Sequence, residues 1–285
     1  GDTGPSAASR WDAGFGQGAP VLCLSLHGSH DDVQSLSDKL VAYPPKKFSP
    51  QPLTATHFGG PDGAPGHWVH FGYRDGITDV RIKGVNSRSK APAPTDCEPG
   101  SLLLGHRSDI GDNPFALAAW PDLVRRFFAN SSFGVLRKIE QKVEDFEAFI
   151  GDKEDLRAEL CGRNPDGTVL HPVAGDPPNP WVLDLKQDPL GQRCPFGSHV
   201  RRMRGAGDAH GLDRPLLRRS VPYGQPLWQS DSKQQQPRGL LGHFFCSNLE
   251  MQFEHLLGQW ADRVPLGSQD PGNAKDPLCG THEPD

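Results

Sequence analysis

The sequence predicts an α+β fold, and three observations carry that prediction. A short apolar strand pattern runs directly into a helical stripe at three places along the chain. Long stretches rich in proline and glycine separate these units, with 33 Gly and 28 Pro in 285 residues, above average usage. The apolar stripes are bounded by charge on the opposite face, so each helix is expected to lie against one face of a sheet. Strand order and direction do not follow from these patterns.

The first unit begins with residues 20–28, PVLCLSLHG, an alternating apolar run that ends in glycine and reads as a strand. Ser29 then precedes a helical pattern with Val33, Leu36, Leu40 and Val41 on one face, stopped by Pro44-Pro45. In the second unit Phe133 to Leu136 is short and apolar. A stripe of Ile139, Val143, Phe146, Phe149 and Ile150 follows, predicting a helix from Leu136 to about Leu160. Residues 161–238 show little periodicity and read as one long irregular stretch, of a kind that often carries function. The third unit is a strand over Leu240 to Cys246, then a helix with Leu249, Phe253, Leu256, Leu257 and Trp260 on one face.

Composition excludes several function classes. With 30 Lys and Arg against 35 Asp and Glu, the net charge of −5 leaves no basic footprint for nucleic acid. The longest apolar runs, such as Leu102-Leu103-Leu104, are far too short to span a bilayer, so no membrane partner is expected. The six cysteines, at 23, 97, 161, 194, 246 and 279, form no C-x-x-C pair and do not read as a disulfide framework. Residues 1–20 show no apolar signal-peptide core, but Gly1-Asp2-Thr3 reads as an internal segment, so the compartment is left open.

Three constellations could carry chemistry. In Gly72-Tyr73-Arg74-Asp75-Gly76, two glycines bracket an acid, and a turn built on them could thrust Asp75 into a cavity. An ordinary Asp-Gly turn has the same sequence. In Cys194-Pro195-Phe196-Gly197-Ser198-His199-Val200-Arg201-Arg202, His199 could ligate haem or a metal, and the arginines could neutralise an acidic ligand. A hydrogen-bonded loop histidine beside a solvated charge run is the plainer alternative. In Leu217-Arg218-Arg219-Ser220-Val221-Pro222-Tyr223-Gly224, an arginine before a proline-containing turn is placed rigidly, as an electrostatic catalyst must be. His57, His67 and His70 also lie close in sequence, but no acid or cysteine completes a recognised zinc spacing.

Taken together and in order, these segments resemble the dye-decolorising peroxidase family. The resemblance runs through HFGYRDGITD, ANSSFGVLRKIEQ, CPFGSHVRR, LRRSVPYG, and RGLL followed by QFE and a tryptophan, over about residues 70 to 260. It implies two ferredoxin-like halves with antiparallel sheets and peripheral helices, of the dimeric α+β barrel type, clasping one haem b. Residues 1–125 would be the remainder of a first half carrying the distal acid. Residues 126–285 would be a second half carrying the proximal histidine and distal arginine, with both ends of the fold reading as incomplete.

By that resemblance Asp75 is the distal acid–base, Arg218 the distal charge stabiliser and His199 the iron ligand. Arg202 is expected at the cofactor, by way of its propionates. Gly242 and His243 stand where the family commonly has a pocket phenylalanine, and Asn248 stands where an acid often lies near the proximal histidine. The implied partners are hydrogen peroxide and an aromatic or dye-like electron donor. A homo-oligomer is left open, and a haem-binding or haem-carrier protein without efficient turnover is the alternative.

Overall fold

The computed structural model describes residues 7–12, 15, 24, 26, 28–42, 53–77, 80–85, 96–110, 120–176, 179–204, 214–229, 236–262 and 275–280. By internal contacts the chain falls into two units, Gly1–Thr54 and Ala55–Asp285. In the first unit helix α1 spans His30–Ala42. It opens as the sequence predicts, with the Ser29 hydroxyl oxygen accepting from the Asp32 amide at 3.3 Å. Leu36, Leu40 and Val41 are exposed. The strand expected over 20–28 falls almost wholly outside the described residues.

The second unit is α+β, as expected. It contains a two-residue antiparallel hairpin, β1 (Trp68–Val69) with β2 (Tyr73–Arg74), and a short parallel bridge, β3 (Arg81–Ile82) with β4 (Asp96–Cys97). Helix α2 spans Asp122–Phe128. The main sheet is antiparallel, made of β5 (Phe133–Glu140), β6 (Leu217–Tyr223) and β7 (Gly239–Cys246) in the order β5-β7-β6. Helices α3 (Val143–Ile150) and α4 (Glu154–Cys161) follow β5, and α5 (His199–Arg204) lies in the long stretch before β6. After β7 come two consecutive π-helical segments, Leu249–Glu254 and Leu256–Ala261.

Two expectations are corrected. The helix predicted from Leu136 to Leu160 is a strand up to Glu140 and then two helices broken at Gly151–Lys153. The spacing of Leu136 and Ile139 fits a helix, but every residue of β5 pairs with one of β7, and those ladder bonds decide the backbone. The irregular reading of residues 161–238 missed β6. Pro222 disguises it as a turn, yet β6 is an edge strand, where proline is tolerated because one ladder side is open.

The core sits between the β1–β2 hairpin and α3–α4, with Phe71, Tyr73, Val143, Phe146, Ile150 and Cys161 buried together. Each fully buried aliphatic side chain here contributes roughly 1.5–3 kcal/mol relative to exposure. Arg157 fastens the three pieces. Its guanidinium donates to both carboxylate oxygens of Glu147, at 3.0 and 2.6 Å, to Glu154 at 3.0 Å and to the carbonyl of Phe71 at 3.2 Å. A planar guanidinium meets such a set where a lysine would not. At the start of β7, Gly239 is squeezed between its neighbours: a Cβ there would lie 1.9 Å from the carbonyl oxygen of Ile139.

His70 is fully buried and its Nε2–H donates to the carbonyl of Tyr223 at 2.8 Å. Burial pushes its pKa below the ordinary 6.5, and nearby Arg238 adds to this, while the Tyr223 and Gly239 backbone and Glu144 pull the other way. The folded chain therefore refuses a proton that the unfolded chain accepts below 6.5. Stability should be flat above that value and fall as pH drops towards the folded pKa, by up to ~1.4 kcal/mol per pH unit. Urea denaturation of the parent and of His70→Gln at pH 7.5 and pH 5 measures this. The parent should lose more on acidification, and equal losses would refute the assignment.

Candidate functional site

Asp75 follows β2 directly. Its backbone N–H donates to the carbonyl of His67 at 2.8 Å, and Gly72 and Gly76 both take positive φ, 79° and 69°, a region open to glycine. This turn presents the carboxylate sideways, half-buried, and Arg218 on β6 reaches it: Nη2 pairs with Asp75 Oδ1 across 143 residues of sequence. Arg218 Nη1 also donates to Ser220 Oγ at 2.5 Å. Ser220 lies two residues along the strand and so on the same face.

The register of the sheet extends that face. Arg218 is opposite Phe244 and Ser220 is opposite Gly242, so Gly242 and Phe244 share the face of the Asp75–Arg218 pair. The Phe244 ring leans over Gly242, where a Cβ would lie 2.8 Å from it, and packs on Phe253 with centroids 5.3 Å apart. His243 points the other way, with Arg219 opposite it, and its ring rests on Phe245 at 4.2 Å. The expectation that His243 joins Gly242 beside the distal pair is corrected, because neighbouring strand residues face opposite sides.

His57 and His67 stand beside Asp75, exposed, with ring centroids 4.0 Å apart. Burial and the neighbouring His67 lower the pKa of His57, while Asp75 opposes them. His70, turned into the core towards Tyr223, does not join them.

His199 is the first residue of α5, and its side chain is 33% exposed. Its Nδ1 lies 3.1 Å from both carboxylate oxygens of Asp276, which is fully buried. The Asp276 carboxylate also accepts from the backbone N–H groups of Leu278 and Cys279, each at 2.9 Å. Burial pushes this carboxyl up, but the charge and hydrogen bond of His199 and the two N–H donors outweigh it and hold it at about 2. An ionised carboxylate only accepts, so Nδ1 of a neutral imidazole carries the proton and Nε2 keeps its lone pair. That tautomer suits a histidine ligand to iron.

One further expectation is corrected here. Asn248 does not supply the group beside His199: its Oδ1 caps the first π-helical segment by accepting from Met251 N–H at 3.0 Å. The acid at His199 comes from Asp276, far on in a proline-rich tail without periodicity, where only the short Asp-Pro-Leu-Cys turn hints at it. Arg202, expected at the cofactor, is fully buried and donates to the carbonyl of Trp260 at 2.9 Å. It ties α5 to the second π-helical segment. The Asp276 amide completes the same joint, donating to the carbonyl of Ala261 at 2.7 Å.

No family model matches the chain. It is 28% identical over 262 residues to a dye-decolorizing peroxidase of Mycetinis scorodonius, covering 78% of this chain and 47% of that protein. It is 29% identical over 321 aligned positions to a multifunctional dye peroxidase of an Amycolatopsis species, covering 96% of this chain and 63% of that protein. A solved dye-decolorizing peroxidase, in complex with 2,6-dimethoxyphenol, superposes with a TM-score of 0.68 at 26% identity, covering 88% of this chain and 61% of its own.

The chain is thus similar in sequence and in fold to dye-decolorising peroxidases. It spans about half to just under two thirds of the length of the relatives it matches. Among the described residues, no helix is long and apolar enough to cross a membrane.

The tautomer at His199 is open to direct measurement. Nitrogen NMR of the imidazole should show the proton on Nδ1 in the parent. In Asp276→Ala it should shift towards the Nε2–H form that free imidazole side chains prefer. An unchanged proton position in the variant would remove Asp276 as the orienting group.

Proposed function

We propose that the chain is a haem peroxidase, reducing hydrogen peroxide and oxidising bulky organic donors such as dyes and phenolic compounds. The observation that carries this reading is the meeting of Asp75 and Arg218 across the fold, in a chain that also sets His199 Nδ1 against the Asp276 carboxylate. A protein that only carried haem would need the ligand and a pocket, and would have no use for an acid–arginine pair. The two halves are read as residues 1–125, carrying Asp75, and residues 126–285, carrying His199 and Arg218.

The residues present fit haem b. His199 would hold the iron through Nε2, with Nδ1–H donated to Asp276, which fixes the ring and raises the basicity of the ligand. When bound, the haem supplies the one-electron redox chemistry at its iron, and the protein supplies orientation and charge. Asp75 Oδ1 and Oδ2 take the proton from peroxide and return it to the departing oxygen as water. Arg218, always cationic, holds Asp75 in place and offsets negative charge that develops as the O–O bond opens. Ser220 Oγ, bonded to Arg218 Nη1, fixes the guanidinium plane. Gly242 keeps the strand backbone narrow beside the pair. The donor is read as an aromatic compound oxidised at the cofactor edge or through a surface Trp or Tyr.

Haem titration followed by peroxide addition tests the reading. The parent should bind haem with a Soret band and react rapidly with peroxide, and His199→Ala should lose the band. Asp75→Asn should keep the band and lose about 10²–10⁴ in the rate of reaction with peroxide. Arg218→Leu should lose far more of that rate than Arg219→Leu, because only Arg218 faces Asp75. A Soret band without any peroxide reaction in the parent would leave a haem-binding protein, and full activity in Asp75→Asn would take Asp75 out of the mechanism.

A further inference from the structure

The His199–Asp276 pair is accounted for by orientation of the imidazole, but a third group at the same place is not. Cys279 Sγ lies 3.8 Å from His199 Nδ1, and the ligand atoms of His199, Asp276 and Cys279 all lie within 4.8 Å of one another. Of the described cysteines, Cys97, Cys161, Cys194 and Cys246 are buried and Cys279 is exposed. We propose that, in the haem-free chain, His199 Nδ1, the Asp276 carboxylate and the Cys279 thiolate form a binding site for a divalent zinc ion.

Geometry and charge both favour zinc. Tetrahedral zinc with ligand distances of about 2.0–2.3 Å requires ligand-to-ligand edges of roughly 3.4–3.6 Å. The observed edges at His199 Nδ1, 3.1 Å to the carboxylate and 3.8 Å to the sulfur, bracket that range. Neutral imidazole, carboxylate and thiolate together carry two negative charges, which a divalent ion neutralises. The mixed N, O and S donor set suits a borderline-soft metal and not a hard one such as magnesium. Asp276 and Cys279 are three residues apart in one turn, and the backbone N–H groups of Leu278 and Cys279 hold the carboxylate in position before any metal arrives. His199, one third exposed, and Cys279 leave a path for the ion, with water as the fourth ligand.

A neutral imidazole has one lone-pair nitrogen. Burial and the Asp276 carboxylate push the Cys279 thiol up, so its proton passes to solvent only as zinc replaces it, and zinc at Nδ1 moves the ring proton to Nε2. With its proton on Nε2, His199 can no longer donate a lone pair to iron. Zinc and haem therefore exclude each other at this histidine, and the site would hold the haem-free chain in a form that haem must displace.

The test uses the full haem-free chain with zinc alone and with cobalt as a spectroscopic stand-in. A competing chromophoric chelator should report one zinc bound through this site, and cobalt should show a thiolate-to-metal charge-transfer band. Cys279→Ser should abolish the band and weaken zinc at least tenfold, while still binding haem. Zinc at about ten times its dissociation constant for the parent should weaken haem binding in the parent about tenfold and weaken it far less in Cys279→Ser. Absence of the charge-transfer band in the parent, equal zinc affinity in parent and Cys279→Ser, or haem binding indifferent to zinc would each overturn the proposal. If the zinc-free parent takes up no haem at all, the peroxidase reading fails, and the zinc and cobalt measurements still decide the metal site.

Discussion

The alternation of side chains across β7 is the constraint on which the rest of the site depends. β7 is the central strand, hydrogen-bonded to β5 on one side and β6 on the other, so its register cannot slip without breaking both ladders. A shift of one residue would turn every side chain to the opposite face. Gly242 and Phe244 would then leave the Asp75–Arg218 face, and His243 would enter it. Gly239, hemmed in by the Ile139 carbonyl and the Tyr223 hydroxyl, marks a close approach of the three strands, and it helps fix that register.

From β7 the structure passes its order on by packing. Phe253 of the first π-helical segment rests on Phe244, and the second segment ends where Arg202 and the Asp276 amide bond the carbonyls of Trp260 and Ala261. His199 and Asp276 are thus held at the same joint although 77 residues separate them. A buried carboxylate is tolerated there because it is paired and hydrogen-bonded, and removing its partner would leave an uncompensated charge. Arg157 plays the corresponding part at the other end of the core, where its four contacts lock the hairpin before Asp75 to α3 and α4.

Much of this was legible in residue patterns. The strand at β7 followed from its apolar run, and the start of α1 from Ser29. The expectation that Asp75, His199 and Arg218 act as a set came from resemblance of the segments around them, and the meeting of Asp75 with Arg218 accords with it. The boundary of β5 was not legible, because Leu136 and Ile139 satisfy a helical and an extended spacing equally. β6 was hidden by Pro222, whose tolerance depends on the strand being at an edge, a fact of tertiary neighbours.

By itself the sequence determined local things: which residues are apolar, where glycine and proline interrupt, and which short segments carry ionisable groups bracketed by turn formers. The fold alone decided which of those groups meet. Asp75 pairs with Arg218 and not Arg219 because strand register assigns the two arginines to opposite faces. His199 receives its carboxylate from Asp276 and not from Asn248, since the tail returns to α5 while Asn248 is used up capping a helix. Contacts between residues 77 and 143 positions apart leave no periodic trace along the chain, because they are set by how packed elements lie in space and not by the spacing of residues within any one of them.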